Sequence, residues 1–192
     1  MEPAEQERRF LSFVGGYLVS LPFDLKVLQE AVTDENLERP ARDMAAGAIV
    51  HALLPQEGDK LLAYVDDVLL VRAALRAVAD HGGDGGADFQ QRFAEVYEHL
   101  DDEIAVLSAV LGDTWTWLAG KIPGFARLLY KGRRAAQYVD DDEGQSLLFD
   151  EGLEFQTNYA VTEEQVRNRL RRLDQVTELL ARKRADEARK IS

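Results

Sequence analysis

No cysteine occurs among the 192 residues, which excludes disulfides, thiolate metal sites and cysteine nucleophiles together. Cations are outnumbered as well. The net charge is −12, the wrong sign for a general nucleic-acid binder, whose affinity comes from neutralising phosphates. No apolar run reaches the roughly 18–20 residues of a membrane span. Phe10 to Leu21 follows Arg8-Arg9 in the manner of an export signal. However, Glu2, Glu5 and Glu7 precede it and no small-x-small cleavage site follows, so it reads as an ordinary amphipathic first helix. The absence of cysteine fits a reducing cytoplasm, and the expected location is cytoplasmic, extending to the periphery of the inner membrane.

Prolines number only five, and most of them punctuate. Pro22 is expected to end a first helix (from Glu5) and open a second. Pro40 sits in the first turn of a third, where its missing N–H is harmless, and Pro55 stops it. Pro123 divides the segment 114–139. The densest glycine run, His81 to Gly86, reads as a turn or flexible linker. A phosphate-cradling role is weak there, because the loop follows a helix and lacks the Lys-Ser/Thr of a P-loop.

What remains is rich in helical periodicity. Leu61 to Val78 is apolar nearly all round at 100° per residue, the pattern of a buried central helix. Phe89, Phe93, Val96, Leu100, Ile104, Leu107 and Leu111 form a long stripe over 88–111. Thr162 with Gln165 makes a capping box ahead of the stripe Val166, Leu170, Leu173, Val176 and Leu180, whose sequel RKRADEARK reads as a frayed or projecting end. The segment 145–159 suits either a small hairpin near 147–156 or a helix. The predicted fold is therefore all-α: seven or eight helices bundled around residues 60–80. Residues 1–160 make an acidic body with 14 Lys+Arg against 29 Asp+Glu, net −15. Residues 161–192 carry 9 against 6, net +3, an amphipathic basic helix that can dock on acidic surface.

Three groups of residues carry chemical interest. Asp66 and Asp67 have no basic neighbour three or four positions away, and Arg72 and Arg76 lie on another side of the helix. A solvent-facing polar strip, or carboxylates capping neighbouring helices, is the favoured reading. If the pair is buried, it needs donors or a cation from elsewhere, and His51 is the nearest metal-ligating candidate, otherwise a half-buried packing residue. Glu95, Glu98, His99, Asp102 and Glu103 form a second acidic group, but their offsets do not match the Glu-x-x-His pattern of di-iron bundles. A solvated helix face is expected.

The third group is Trp115, Trp117, Lys121, Arg127, Tyr130, Arg133 and Arg134. Between Thr114 and Val139 there are five basic residues and no acidic one. Such composition suits a protein contact surface or a membrane interface; the favoured reading is a core of Trp115, Leu118, Phe125 and Leu129 whose cations balance the acidic body.

Leu53-Leu54-Pro55 followed by Tyr64-Val65-Asp66-Asp67-Val68-Leu69-Leu70 resembles the core of the YkvA-like bacterial proteins, a small helical family of unknown function. In that family an apolar helix ends at proline, a Pro/Asp-rich loop and a Gly-Tyr-Leu-Asp-Asp element follow, then another apolar helix. The resemblance covers about residues 37–80. Here the loop Gln56 to Asp59 is shorter and lacks the second proline, and Ala63 stands where the family has glycine. The resemblance implies a helix pair hinged at Pro55 with Asp66 and Asp67 as signature residues. It implies no reaction. No Ser/His/Asp or Cys/His set can be assembled, so the expected function is non-catalytic: a helical interaction or scaffold protein without a cofactor, binding a protein partner or a second copy. The alternatives are a peripheral membrane protein using 115–134, and a metal-dependent enzyme using Asp66 and Asp67.

Overall fold

A computed structural model describes residues 2–55 and 60–191; the loop Gln56 to Asp59 lies outside the described residues. Helix α1 (Pro3–Thr33) runs unbroken through Pro22. The sequence predicts a stop there, and the reason it fails lies at Leu18. Proline removes the N–H that would bond the carbonyl four residues back, and the Tyr159 hydroxyl, arriving from far along the chain, donates to that Leu18 carbonyl instead. By length and mean hydropathy (1.4 over its most apolar window) α1 is also sufficient to cross a membrane, yet Phe10, Val14, Leu18, Leu21, Leu25 and Leu28 are all buried in the protein core.

Helix α2 (Arg39–Leu53) and α3–α4 (Lys60–Ala63 and Val65–His81, joined through Tyr64) follow. The expectation of a central helix holds: Val65 through Leu75 is buried without interruption. It packs against α1 and α2, and the small residues Ala45, Ala46 and Ala48 on α2, with Ala73 and Ala74 on α4, are buried between helices.

The glycine run makes the expected turn, with Gly83 at positive φ, and it is a packed turn rather than an open linker. Helix α5 (Gly85–Arg92) begins inside it, because Gly82 and Gly85 let the backbone close onto residues 36–38: a Cβ on Gly85 would lie 2.2 Å from the Asn36 carbonyl oxygen. The long stripe over 88–111 does not form one helix either. It breaks into α5, α6 (Ala94–Tyr97) and α7 (Leu100–Leu111), the breaks falling at Phe93 and at Glu98-His99.

Short helices α8 (Asp113–Ala119) and α9 (Ile122–Phe125) give the expected division, but the break falls at Gly120-Lys121 with Pro123 in the first turn of α9, and the second helix expected toward Val139 stops at Phe125. A two-stranded ribbon comes next, β1 (Leu129–Tyr130) against β2 (Arg133–Arg134), turned by Lys131 and Gly132, both at positive φ. A 3-10 turn covers Ala135–Val139. The hairpin suspected near 147–156 is instead helix α10 (Asp142–Asn158), capped by Asp141, whose carboxylate accepts from the Gly144 N–H at 2.6 Å. Gly144, Leu148 and Gly152, spaced four apart, form its buried face.

The capping box at Thr162 and Gln165 is formed and starts α11 (Glu163–Arg169). The predicted single last helix breaks at Leu170 and resumes as α12 (Leu173–Ile191). Gln175 splints the break: its side chain accepts from the N–H groups of Arg171 and Arg172 and donates to the Arg169 carbonyl.

Candidate functional site

Asp66 and Asp67 occupy the first turn of α4, where helix N–H groups favour negative charge. The reading of a solvent-facing strip fails, because the residues are only 5% and 1% exposed. The countercharges come from other elements, as burial requires. From the last turn of α2, His51 places Nδ1 3.0 Å from Asp67 Oδ1. From α12, the Lys183 ammonium donates to Asp66 Oδ1. Burial pushes the Asp67 carboxyl above the usual range, and the His51 hydrogen bond and Lys183 charge oppose that rise.

His51 is fixed by stacking on Phe125 of α9, with ring centroids 4.6 Å apart and planes 14° from parallel. Gly47, one turn earlier, makes that contact fit, since a Cβ there would lie 2.6 Å from the Phe125 carbonyl carbon. One ligating atom each from His51, Asp66 and Asp67 falls within a mutual 4.8 Å. The structure thus brings together all three metal candidates read from the sequence.

A second buried ionic group joins charged residues that nothing in the sequence connects. Arg72 of α4 donates to Asp24 Oδ2 of α1 at 2.8 Å and lies 3.7 Å from Glu103 of α7. Its guanidinium sits 4.1 Å over the Tyr17 ring, while Tyr17 donates to Glu103 and Ser20 to Asp24, each at 2.8 Å. Desolvation raises the Asp24 carboxyl to about 6 against the opposing pull of Arg72. The group ties three helices together through the core. Only one signal for it was legible, the Ser20–Asp24 spacing on one helix face. Of the acidic group on 95–103, Glu103 alone is drawn into this cluster; Glu95, Glu98, His99 and Asp102 are exposed or partly so.

The aromatic-basic stretch is largely engaged internally. Trp115 is buried, so it belongs to the core rather than to an open surface. Trp117 is half-buried beneath the Lys121 ammonium and the Arg184 guanidinium, and Lys121 is paired with Glu187 of α12. Tyr130 and Lys131 both bond Glu151, and Arg133 faces Asp141 and Glu143. Arg127 and Arg134 remain exposed, beside Leu129, which lies outside the expected core: at 67% it is the most exposed of the large apolar side chains among the described residues.

No family model matches the chain, and no curated protein or solved structure matches it either. The YkvA-like resemblance therefore rests on the residues that carry it. Chemically, the His51–Asp67 pair supplies a base and its orienting carboxylate. Among the described residues no hydroxyl bonds the other ring nitrogen of His51.

Proposed function

We propose that the protein is a non-catalytic helical interaction module whose contact element is α12. The observation that supports this is the change in character along that helix. Its first half seats Val176 and Leu180 fully inside the body, whereas its second half is held by Lys183 on Asp66, Glu187 on Lys121 and Arg184 over Trp117. Two buried aliphatic side chains contribute about 1.5–3 kcal/mol each in gross terms. The partly exposed Lys121–Glu187 pair adds about 0–1 kcal/mol and weakens with salt, while Lys183 reaches a buried carboxylate and is the innermost polar anchor. A helix held this lightly, basic against an acidic body, is suited to exchange its seat for the same seat on a second copy.

Sedimentation equilibrium of the full chain over a wide concentration range tests the reading. A reversible dimer is expected, lost when Val176 and Leu180 are both changed to Asp. A strict monomer at the highest concentration overturns the exchange.

A further inference from the structure

The seat of α12 contains a feature that helix docking does not require. A lysine ammonium is placed on a His-Asp-Asp set whose composition and spacing are those of a metal-ligand group. We infer that His51, Asp66 and Asp67 form a divalent-cation site, and that Lys183 is the competitor occupying it in the latched protein. The inference rests on α12 being the mobile element, but the cation site itself does not.

Four observations converge on this set. An imidazole nitrogen with two carboxylate oxygens suits a borderline cation such as Zn2+, which keeps its remaining coordination positions for water or substrate. The ligand atoms lie within 4.8 Å of one another. Around an ion with bonds of about 2.0–2.2 Å, tetrahedral ligands stand roughly 3.4 Å apart, so only small side-chain adjustments are needed. The three residues come from the ends of two tightly packed helices, and the Phe125 stack holds the imidazole plane, giving the pre-orientation that second contacts supply in metal sites.

The fourth observation is Lys183 itself. A cation already sits at the carboxylates, donated by a side chain 117 residues away from Asp66 in sequence. A divalent ion and the ammonium cannot share the position, because like charges at that separation in a partly buried site repel strongly. Binding of one expels the other, and α12 then loses its innermost polar anchor. Coordination replaces the hydrogen bond from His51 to Asp67: Nδ1 gives up its proton to solvent, and the ring ligates through Nδ1 in the neutral form that carries its proton on Nε2.

Titration calorimetry with Zn2+ on the full chain tests the inference, using wild type, Lys183→Met and His51→Ala. Lys183→Met keeps the aliphatic stem on a partly exposed side chain, so it leaves the fold in place. One ion per chain is expected, binding at least about tenfold more tightly to Lys183→Met than to wild type (about 1.4 kcal/mol) and not saturably to His51→Ala. Trp117 emission should shift to the red as Zn2+ binds wild type, because Arg184 leaves with the helix. No saturable binding, or equal affinity for wild type and Lys183→Met, overturns the inference. The calorimetry is run on dilute protein, so a negative sedimentation result and a negative zinc result are separable.

Discussion

At the scale of single residues the protein keeps two charged groups inside its core, and in both burial raises an aspartate carboxyl against the pull of a nearby cation. Asp24 and Arg72 face each other at 2.8 Å with Glu103, Tyr17 and Ser20 around them, yet burial dominates and the Asp24 carboxyl rises to about 6. The pair is therefore costly to hold charged and costlier to break. Arg72→Met alone should destabilise the fold by about 3–5 kcal/mol, whereas Asp24→Leu with Arg72→Met should return close to wild type; urea unfolding measures both. The pH dependence has a defined sign. A carboxyl whose folded pKa is raised contributes stability that is complete below its unfolded value of 3.8 and is lost as pH climbs through about 6. Between pH 4 and 7 the stability of wild type should accordingly fall relative to Asp24→Asn, and parallel curves for the two would contradict the shift.

Among the secondary-structure elements, Pro22 gives the sharpest test of why the chain folds as it does. Leu18 is left without its helical donor and is served by the Tyr159 hydroxyl. Tyr159→Phe should then cost about 1–3 kcal/mol through the stranded carbonyl. The cost should shrink in a Pro22→Ala background, where residue 22 again offers an N–H. Equal costs in both backgrounds would show that the hydroxyl does not replace the missing bond. At the neighbouring helix contact, Gly47→Ala drives a methyl into the Phe125 backbone and should lower stability by about 1–3 kcal/mol, visible as a reduced melting temperature.

These elements also show what was legible in the sequence. Leu61 to Val78 announces its own burial, because apolarity on all sides needs no partner to be recognised. The capping box at Thr162 is local and likewise readable. Pro22 misleads because its rescue comes from Tyr159, 137 positions on. The ribbon at 129–134 has only Lys131-Gly132 as its turn signal, and 145–159 reads as hairpin or helix because Asp150-Glu151-Gly152 interrupts its apolar pattern. The twin aspartates could be seen, with His51 as a candidate beside them, but not Lys183. His51 and Lys183 reach them only once α2 and α12 are folded against α4, and long-range ion pairs leave no periodic trace.

Across the whole molecule, charge and architecture are arranged together. An acidic body of net −15 receives a basic C-terminal helix, and the contact is apolar near Val176 and Leu180 and ionic from Lys183 onward. Such a seam should loosen with ionic strength, because screening at about 0.5 M salt confines charge attraction to a few ångströms, while the body, held by its apolar core, should not. The lack of native cysteine lets this be measured directly. With spin labels on Ser108→Cys of α7 and Ala185→Cys of α12, both exposed, pulsed dipolar spectroscopy reports the distance between body and latch. The account predicts one narrow distribution at low salt and a second, longer and broader population at about 0.5 M, favoured further by Lys183→Met. A single distribution unchanged by salt and by that substitution would contradict the claim that α12 is a latch, and would make it a fixed part of the bundle.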